Sequence, residues 1–375
     1  MPRLRPLVAA LATASVTAAC GMDLPLEERI AGVRPLAIRV EIEDADAADG
    51  EPVRTEGLPF DNVRMYPFIA DVDGPFELQR IEDELQPRWL VCNLAPIEGL
   101  GSCLAAAAPL SPSELPECPP VDLASLDPDA DEFPTFPSPC ELTAGTASQP
   151  EFTIPFDIGY LIGGDIEVTM VAQLPDRADT DTCVEQLLAG ETNFESGCLY
   201  VTSRVPVGPD SVLLDLAAQF GLPEFDGLPE PPDTQPDPDT HPRIQNFVVR
   251  DLDAAGNEVA VFQVERGDVI TVAAGHELDI ETQAPEDDLQ VYVIPTEDGY
   301  VEEDEAYTGL WYTTWGTLLS SSSDDPLSLN SWSLERGAQD DEGTLPPGER
   351  ATLFYVLRDG RNGVDWWWFH VDVVE

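Results

Sequence analysis

The sequence predicts an all-β protein: two β-sandwich domains joined by a proline-rich linker, with a disulfide-stapled insertion in the first. Three observations carry this prediction. Short segments in which apolar and polar residues alternate recur on both sides of a proline-dense stretch at residues 222–242. No heptad repeat competes with them. All six cysteines after residue 20 lie between residues 92 and 198, so only the first half has covalent staples.

The first domain spans residues 31–221. Leu36, Ile38, Val40 and Ile42 alternate with Ala37, Arg39, Glu41 and Glu43, the pattern of a strand with one buried and one wet face. Residues 44–50 read as a turn, 63–70 as a second strand and 88–92 as a third. Residues 93–150 hold eleven prolines, which fix φ and remove backbone donors, so long regular elements are not expected there. This is the insertion, with a disordered acidic stretch at residues 127–132. Strand signals return in Phe152, Ile154, Phe156 and Ile158. They continue in Ile166, Val168, Met170, Ala172 and Leu174, alternating with Glu167, Thr169 and Gln173. One or two helical turns are expected at residues 182–189, a strand at 199–207 and a short amphipathic helix at 211–220.

Cys92, Cys103, Cys118, Cys140, Cys183 and Cys198 form no CxxC pair and have no neighbouring histidine, which argues against zinc. In an exported chain they are disulfide candidates, with fifteen pairings open.

The linker, residues 222–242, carries seven prolines and several acids and reads as stiff and extended. The second domain, residues 243–375, has strand candidates at 244–250, 259–264, 269–274, 278–283, 289–294, 305–318, 351–358 and 366–374. Seven or eight strands in so short a span indicate a second sandwich.

Two resemblances follow. The block Asn62-Val63-Arg64-Met65-Tyr66-Pro67-Phe68 with Arg88-Trp89-Leu90-Val91-Cys92 resembles the early strands of immunoglobulin-like domains, with Trp89 before rather than after Cys92. The tail Tyr355-Val356-Leu357-Arg358-Asp359-Gly360-Arg361 resembles the last hairpin of such modules in bacterial surface proteins. At the other end, Arg3 and Arg5 precede an apolar run from Leu7 to Ala19, and Val16-Thr17-Ala18-Ala19-Cys20 resembles a lipobox. The chain thus resembles bacterial envelope lipoproteins that carry immunoglobulin-like domains. The resemblance implies a signal peptide at residues 1–19, lipidation of Cys20, a tether at 20–30 and, from Gly21, outer-membrane residence. Cys20 is also the odd cysteine. An ordinary secretory signal cut near Ala19 is the other reading.

The formal charge is -54, and every one of the 18 basic residues is arginine. Such a surface repels nucleic acid and anionic lipid heads, both polyanions. No GxSxG, HExxH, P-loop or dinucleotide-binding pattern occurs. The three histidines, His241, His276 and His370, lie in no catalytic motif, and the serine run at 320–323 reads as a polar loop. Asp71-Val72-Asp73-Gly74 and Asp251-Leu252-Asp253 place carboxylates two apart but supply only part of a calcium site. No metal, no cofactor and no catalytic residue is expected.

The most specific feature is Trp366-Trp367-Trp368-Phe369-His370-Val371-Asp372-Val373. Alternation places Trp367, Phe369, Val371 and Val373 on the core face and Trp366, Trp368, His370 and Asp372 on the other. Flat indoles on a face expected to be wet suggest a surface for glycan or an envelope protein. Cover by the first domain, by the insertion or by residues 296–350 is the competing reading. The expectation is therefore a lipid-anchored envelope protein that binds or supports and does not catalyse. The alternative is an envelope glycan hydrolase with a carboxylate pair.

The anchor is tested by Cys20→Ser. The variant is expected to move from the membrane to the soluble fraction, and a fatty-acid analogue to label only the wild type. An unlabelled wild type would refute lipidation.

Overall fold

The computed structural model describes residues 28–43, 52–94, 110–121, 135–190, 196–208, 212–213, 237–296, 299–335 and 343–375. The signal segment, Cys20, most of the tether, the turn at 44–50, Cys103, the acidic stretch at 127–132, most of the helix at 211–220 and residues 222–236 lie outside them.

The described chain is mostly β-sheet. In the N-terminal half, β1 (Arg34–Ile42), β2 (Asn62–Asp71) and β3 (Gly74–Pro75) form one antiparallel sheet, and β6 (Glu151–Thr153) also pairs with β2. A second sheet runs β5 (Cys140–Glu141), β4 (Arg88–Leu94), β7 (Asp165–Gln173), β8 (Cys198–Val205). Ile38, Val40, Ile42, Val63 and Met65 of the first sheet meet Trp89, Val91, Ile166, Val168 and Met170 of the second in one buried cluster. Burial of this apolar surface, at about 25 cal/mol per Å2, is the main driving term. The Trp89 indole N–H donates to the Ala147 carbonyl at 2.9 Å, which satisfies its polar edge inside the core.

Two alternations are broken. A register shift between Pro35 and Ala37 puts an irregularity into β1, so Leu36 leaves the inner core that Ile38, Val40 and Ile42 share and joins Ala37 in another buried cluster. In β7 the supposedly wet residues Glu167 and Thr169 are each only 1% exposed. Beyond that face, a further cluster of Leu90, Cys92, Val171, Cys183, Val184 and Leu188 joins the sheet to the helix Thr180–Leu188. The helix begins where Asp179 caps it, its carboxylate accepting from the Thr182 N–H at 2.9 Å.

In the C-terminal half, one five-stranded sheet runs β10 (Glu258–Gln263), β9 (Asn246–Leu252), β12 (Glu277–Gln283), β18 (Leu327–Ser333), β16 (Thr317–Leu318). The other runs β11 (Val269–Ala273), β20 (Val364–Val374), β19 (Arg350–Arg358), β15 (Thr308–Thr313), β17 (Ser322–Ser323), with only β11–β20 parallel. A hairpin, β13 (Val291–Thr296) and β14 (Gly299–Asp304), stands apart. Phe247, Val249, Leu278, Ile280 and Trp332 of one sheet face Trp311, Leu353, Tyr355, Phe369 and Val371 of the other. The sequence reading merged β15 and β16 and missed β18, whose apolar content is modest: Leu327, Leu329 and Trp332 among three serines and an asparagine.

The two halves touch. Residues 28–30, assigned to a tether, dock instead: Ile30 donates to the Thr313 carbonyl, Thr313 donates to that of Glu28, and Ile30 is fully buried. The end of the expected extended linker is buried as well, with Asp239 at 0% and His241 at 3% exposure.

Cys118 pairs with Cys140 and Cys183 with Cys198, and Cys92 is also disulfide-bonded. The Cys183–Cys198 bridge closes a span of 15 residues, for which loop entropy gives about 3 kcal/mol. Replacing both cysteines by serine should therefore speed amide exchange in β7, β8 and helix Thr180–Leu188 and leave β12 and β18 protected. Equal loss of protection throughout would contradict this.

Candidate functional site

The expected contact surface on β20 is an internal seam. Parity along the strand is as the alternation requires: Phe369, Val371 and Val373 are buried in the C-terminal core, with Trp367 half-buried beside them. The opposite face is not open. Trp366 lies stacked on Phe68 of β2, ring centroids 4.9 Å apart and planes 3° apart, and Trp368 is 6.2 Å from the same ring. Phe354 approaches Phe68 edge-on at 6.1 Å. Ile30, Leu36, Ala37, Ala70 and Val356 complete the patch. Each such aromatic pair contributes about 0.5–1.5 kcal/mol beyond its buried area.

His370 and Asp372 are also engaged. His370 Nδ1 is 2.9 Å from the Thr352 hydroxyl. Gly74, at φ 132°, passes so close that a Cβ there would sit 3.1 Å from His370 Cε1. Burial, followed by the Arg350 charge, pulls the His370 pKa below its ordinary value. Asp372 takes both arms of Arg350 at 2.7 and 3.0 Å, which holds its carboxyl below the usual range. Trp366, Trp368, His370 and Asp372 thus do not form a free ligand surface; the first half of the chain covers the tryptophans.

The remaining sequence candidates are structural too. His276 Nδ1 pairs with Asp251 at 2.7 Å. Asp253 accepts from the Ala255 and Asn257 N–H groups, closing the β9–β10 turn. The hydroxyls of Ser323, Ser328 and Tyr355 form a chain that also receives the Trp311 indole N–H. Among the described residues, no group of three or more His, Cys, Asp or Glu side chains is placed to hold a metal, and no helix is long and apolar enough to cross a membrane.

Sequence reasoning missed two features. The first is an open recess of about 790 Å3 at the edge of the C-terminal sheets, lined by Gln245, Asn246, Phe247, Gln263, Glu265, Arg266 and Trp367. Phe247 lies parallel to Trp367 at 5.9 Å, and the Arg266 guanidinium lies 5.2 Å from the Trp367 ring and 2.9 Å from Asp365. Three carboxamides, one acid, one guanidinium and an aromatic floor suit a polar ligand with an apolar face. The contributing segments are separated by up to about 120 residues in sequence, so no local motif announces the recess.

The second is a buried polar junction. Arg361 reaches across from the β19–β20 turn to Glu56 at 2.6 Å and lies 3.4 Å from Glu305. Asp239 donates its backbone N–H to Glu56 at 3.0 Å and accepts from the Thr55 hydroxyl. Beside it, His241 bridges the two halves: its Nε2 lies 2.7 Å from the Val40 carbonyl of β1, and its Nδ1 accepts from the Val364 N–H of β20 at 3.0 Å. These partners require the neutral ring with the proton on Nε2. The one advance signal was Arg361 itself, an arginine in a short turn of a chain poor in cations.

No protein family and no curated protein matches the chain. Among solved structures, dimeric latent PorU from Porphyromonas gingivalis is similar at 12% identity over 92% of this chain and 24% of that one, with a TM-score of 0.19. The chain thus spans about a quarter of that structure's length, and so low a score carries no argument about fold or function.

His241→Ala leaves a buried carbonyl and a buried N–H unpaired, at about 1–3 kcal/mol each. Desolvation, followed by the Arg39 charge, holds the His241 pKa well below its ordinary value. Its contribution is therefore full above the unfolded value of about 6.5 and falls as pH drops. Urea unfolding should show the variant less stable by about 2–6 kcal/mol at pH 8, with a smaller deficit at pH 5. Wild-type stability at pH 8 would remove His241 from the junction's support.

Proposed function

We propose that this protein is a lipid-anchored envelope protein that binds a polar ligand, such as a glycan, without catalysis. Its two sheet pairs are two immunoglobulin-like sandwiches, residues 31–221 and 243–375, joined through the stretch 222–242. The observation that carries the binding reading is the recess at Gln245, Asn246, Gln263, Arg266 and Trp367. Its volume lies in the range of small-ligand sites, and its carboxamides can both donate and accept, as sugar hydroxyls demand. The large negative charge supports a neutral or cationic ligand over an anionic one. Cys20, through its lipobox-like context, supports attachment to a membrane by lipid, with the bulk of the chain held outside it.

The test uses the Cys20→Ser protein on purified envelope glycan. Gln245 and Gln263 are both exposed, so the double change Gln245→Ala, Gln263→Ala should keep the fold. Losing two ligand hydrogen bonds at about 1 kcal/mol each should weaken retention by about tenfold or more. Retention equal to that of the parent would remove the recess as the binding site. No retention by either protein would remove glycan as the ligand.

A further inference from the structure

Glu56, Asp239, Glu305 and Asp359 come from four separate parts of the chain and converge on Arg361, where the two halves meet. The Glu56 and Arg361 side chains are 10% and 9% exposed, Glu305 is 1% exposed, and Asp239 is fully buried. Glu56, Asp239 and Glu305 thus face one guanidinium in a dry setting, and Asp359 lies beside them on the Arg361 backbone N–H. Four ionised carboxylates could not coexist there, because each loses its hydration and repels the others in a medium of low dielectric.

The contacts show where protons are needed. Glu56 is the best compensated, taking Arg361 at 2.6 Å and the Asp239 N–H at 3.0 Å. Glu305 accepts the Gln290 N–H at 2.8 Å. Its carboxyl also contacts that of Asp239, an interaction that is attractive only with a proton between them. Asp359 Oδ1 accepts from the Arg361 and Gly363 N–H groups at 2.9 and 2.8 Å. Its Oδ2, and Oδ1 of Asp239, are buried with no hydrogen-bond donor.

Other charges face the cluster. Asp165 is 3.6 Å from Arg204. Arg358 lies near Asp359 but donates to the Leu36 carbonyl. Tyr292 lies under Arg361 at 5.1 Å. Tyr307 and the Asp288–Arg243 pair border Glu305 and Asp359. None places a second cation among the four carboxyls.

We propose that this junction is a proton-operated latch, closed while its carboxyl groups share protons and loosened when they ionise. The inference goes beyond the ligand reading above and does not depend on it.

Desolvation, with the neighbouring acids, pushes Glu305 up to about 7 and Asp359 up to about 8. Burial raises Glu56 and Asp239 as well. A carboxyl raised in the folded state stabilises fully below its unfolded value of about 4, and that support is lost as pH rises through the folded value. His241 acts in the opposite sense, but only below a pH of about 6.5. The window from pH 6.5 to 9 therefore isolates the carboxyls.

The experiment is calorimetry of the full-length protein across that window at constant salt. The wild type should unfold about 5 °C lower at pH 9 than at pH 6.5, with the two halves separating into two transitions. Glu305→Gln with Asp359→Asn keeps the shapes and removes the titrations at about 7 and about 8, so its midpoint should change with pH far less than that of the wild type. Asp359→Asn alone, the milder change, should remove more than half of the slope. A wild-type midpoint constant across the window, or variants that retain its slope, would overturn the proposal. Calcium at pH 9 is the control for a different occupant. Full restoration of the pH 6.5 melt by calcium would assign the cluster to a cation and overturn the proton reading, whereas no restoration supports it.

Discussion

The structure depends on the two-sided burial of the sheet that contains β19 and β20. One face of that sheet supplies Leu353, Tyr355, Phe369 and Val371 to the C-terminal core. The other presents Phe354, Val356, Trp366 and Trp368 to Phe68, Leu36 and Ala37 of the N-terminal half. A sheet hydrophobic on both faces cannot stand in water on either. Contact with the first half of the chain is what takes much of the tryptophan face out of water.

An apolar seam alone would slide, because apolar contact is not directional. Direction comes from the polar groups at its edge. His241 ties β1 to β20, and Arg358 at the end of β19 and Arg361 in the β19–β20 turn donate to Leu36 and Glu56 of the first half. Arg39 and Arg266 both approach Asp365, from opposite halves. A chain with 18 basic residues against 72 acidic ones thus places several of its scarce arginines where desolvation makes each charge strongest.

Much of the fold could be read from the sequence because alternation is a local signal. The strands at residues 62–71, 88–94, 277–283 and 364–374 follow from it, as does the helix near Cys183. The β20 parity was legible for the same reason. What covered its outer face was not, since Phe68 lies some 300 residues away. One local sign existed: residues 351–357 are buried without a break, and an unbroken apolar run marks a strand with no wet face. Beta-strand β18 was missed because its serines and asparagine bond within the protein and mimic a loop in composition. The recess and the carboxyl junction are assembled from distant segments, and charge counts do not reveal which acids lose their water.

The central claim is that the seam and its polar edge hold the two halves in one arrangement. Spin labels at Glu151 on β6 and Glu258 on β10, both exposed, would measure it directly by pulsed dipolar spectroscopy at pH 6.5. The account predicts one narrow distance distribution, broadened by Trp366→Ala with Trp368→Ala. A broad or multi-peaked distribution in the protein without those changes would contradict it.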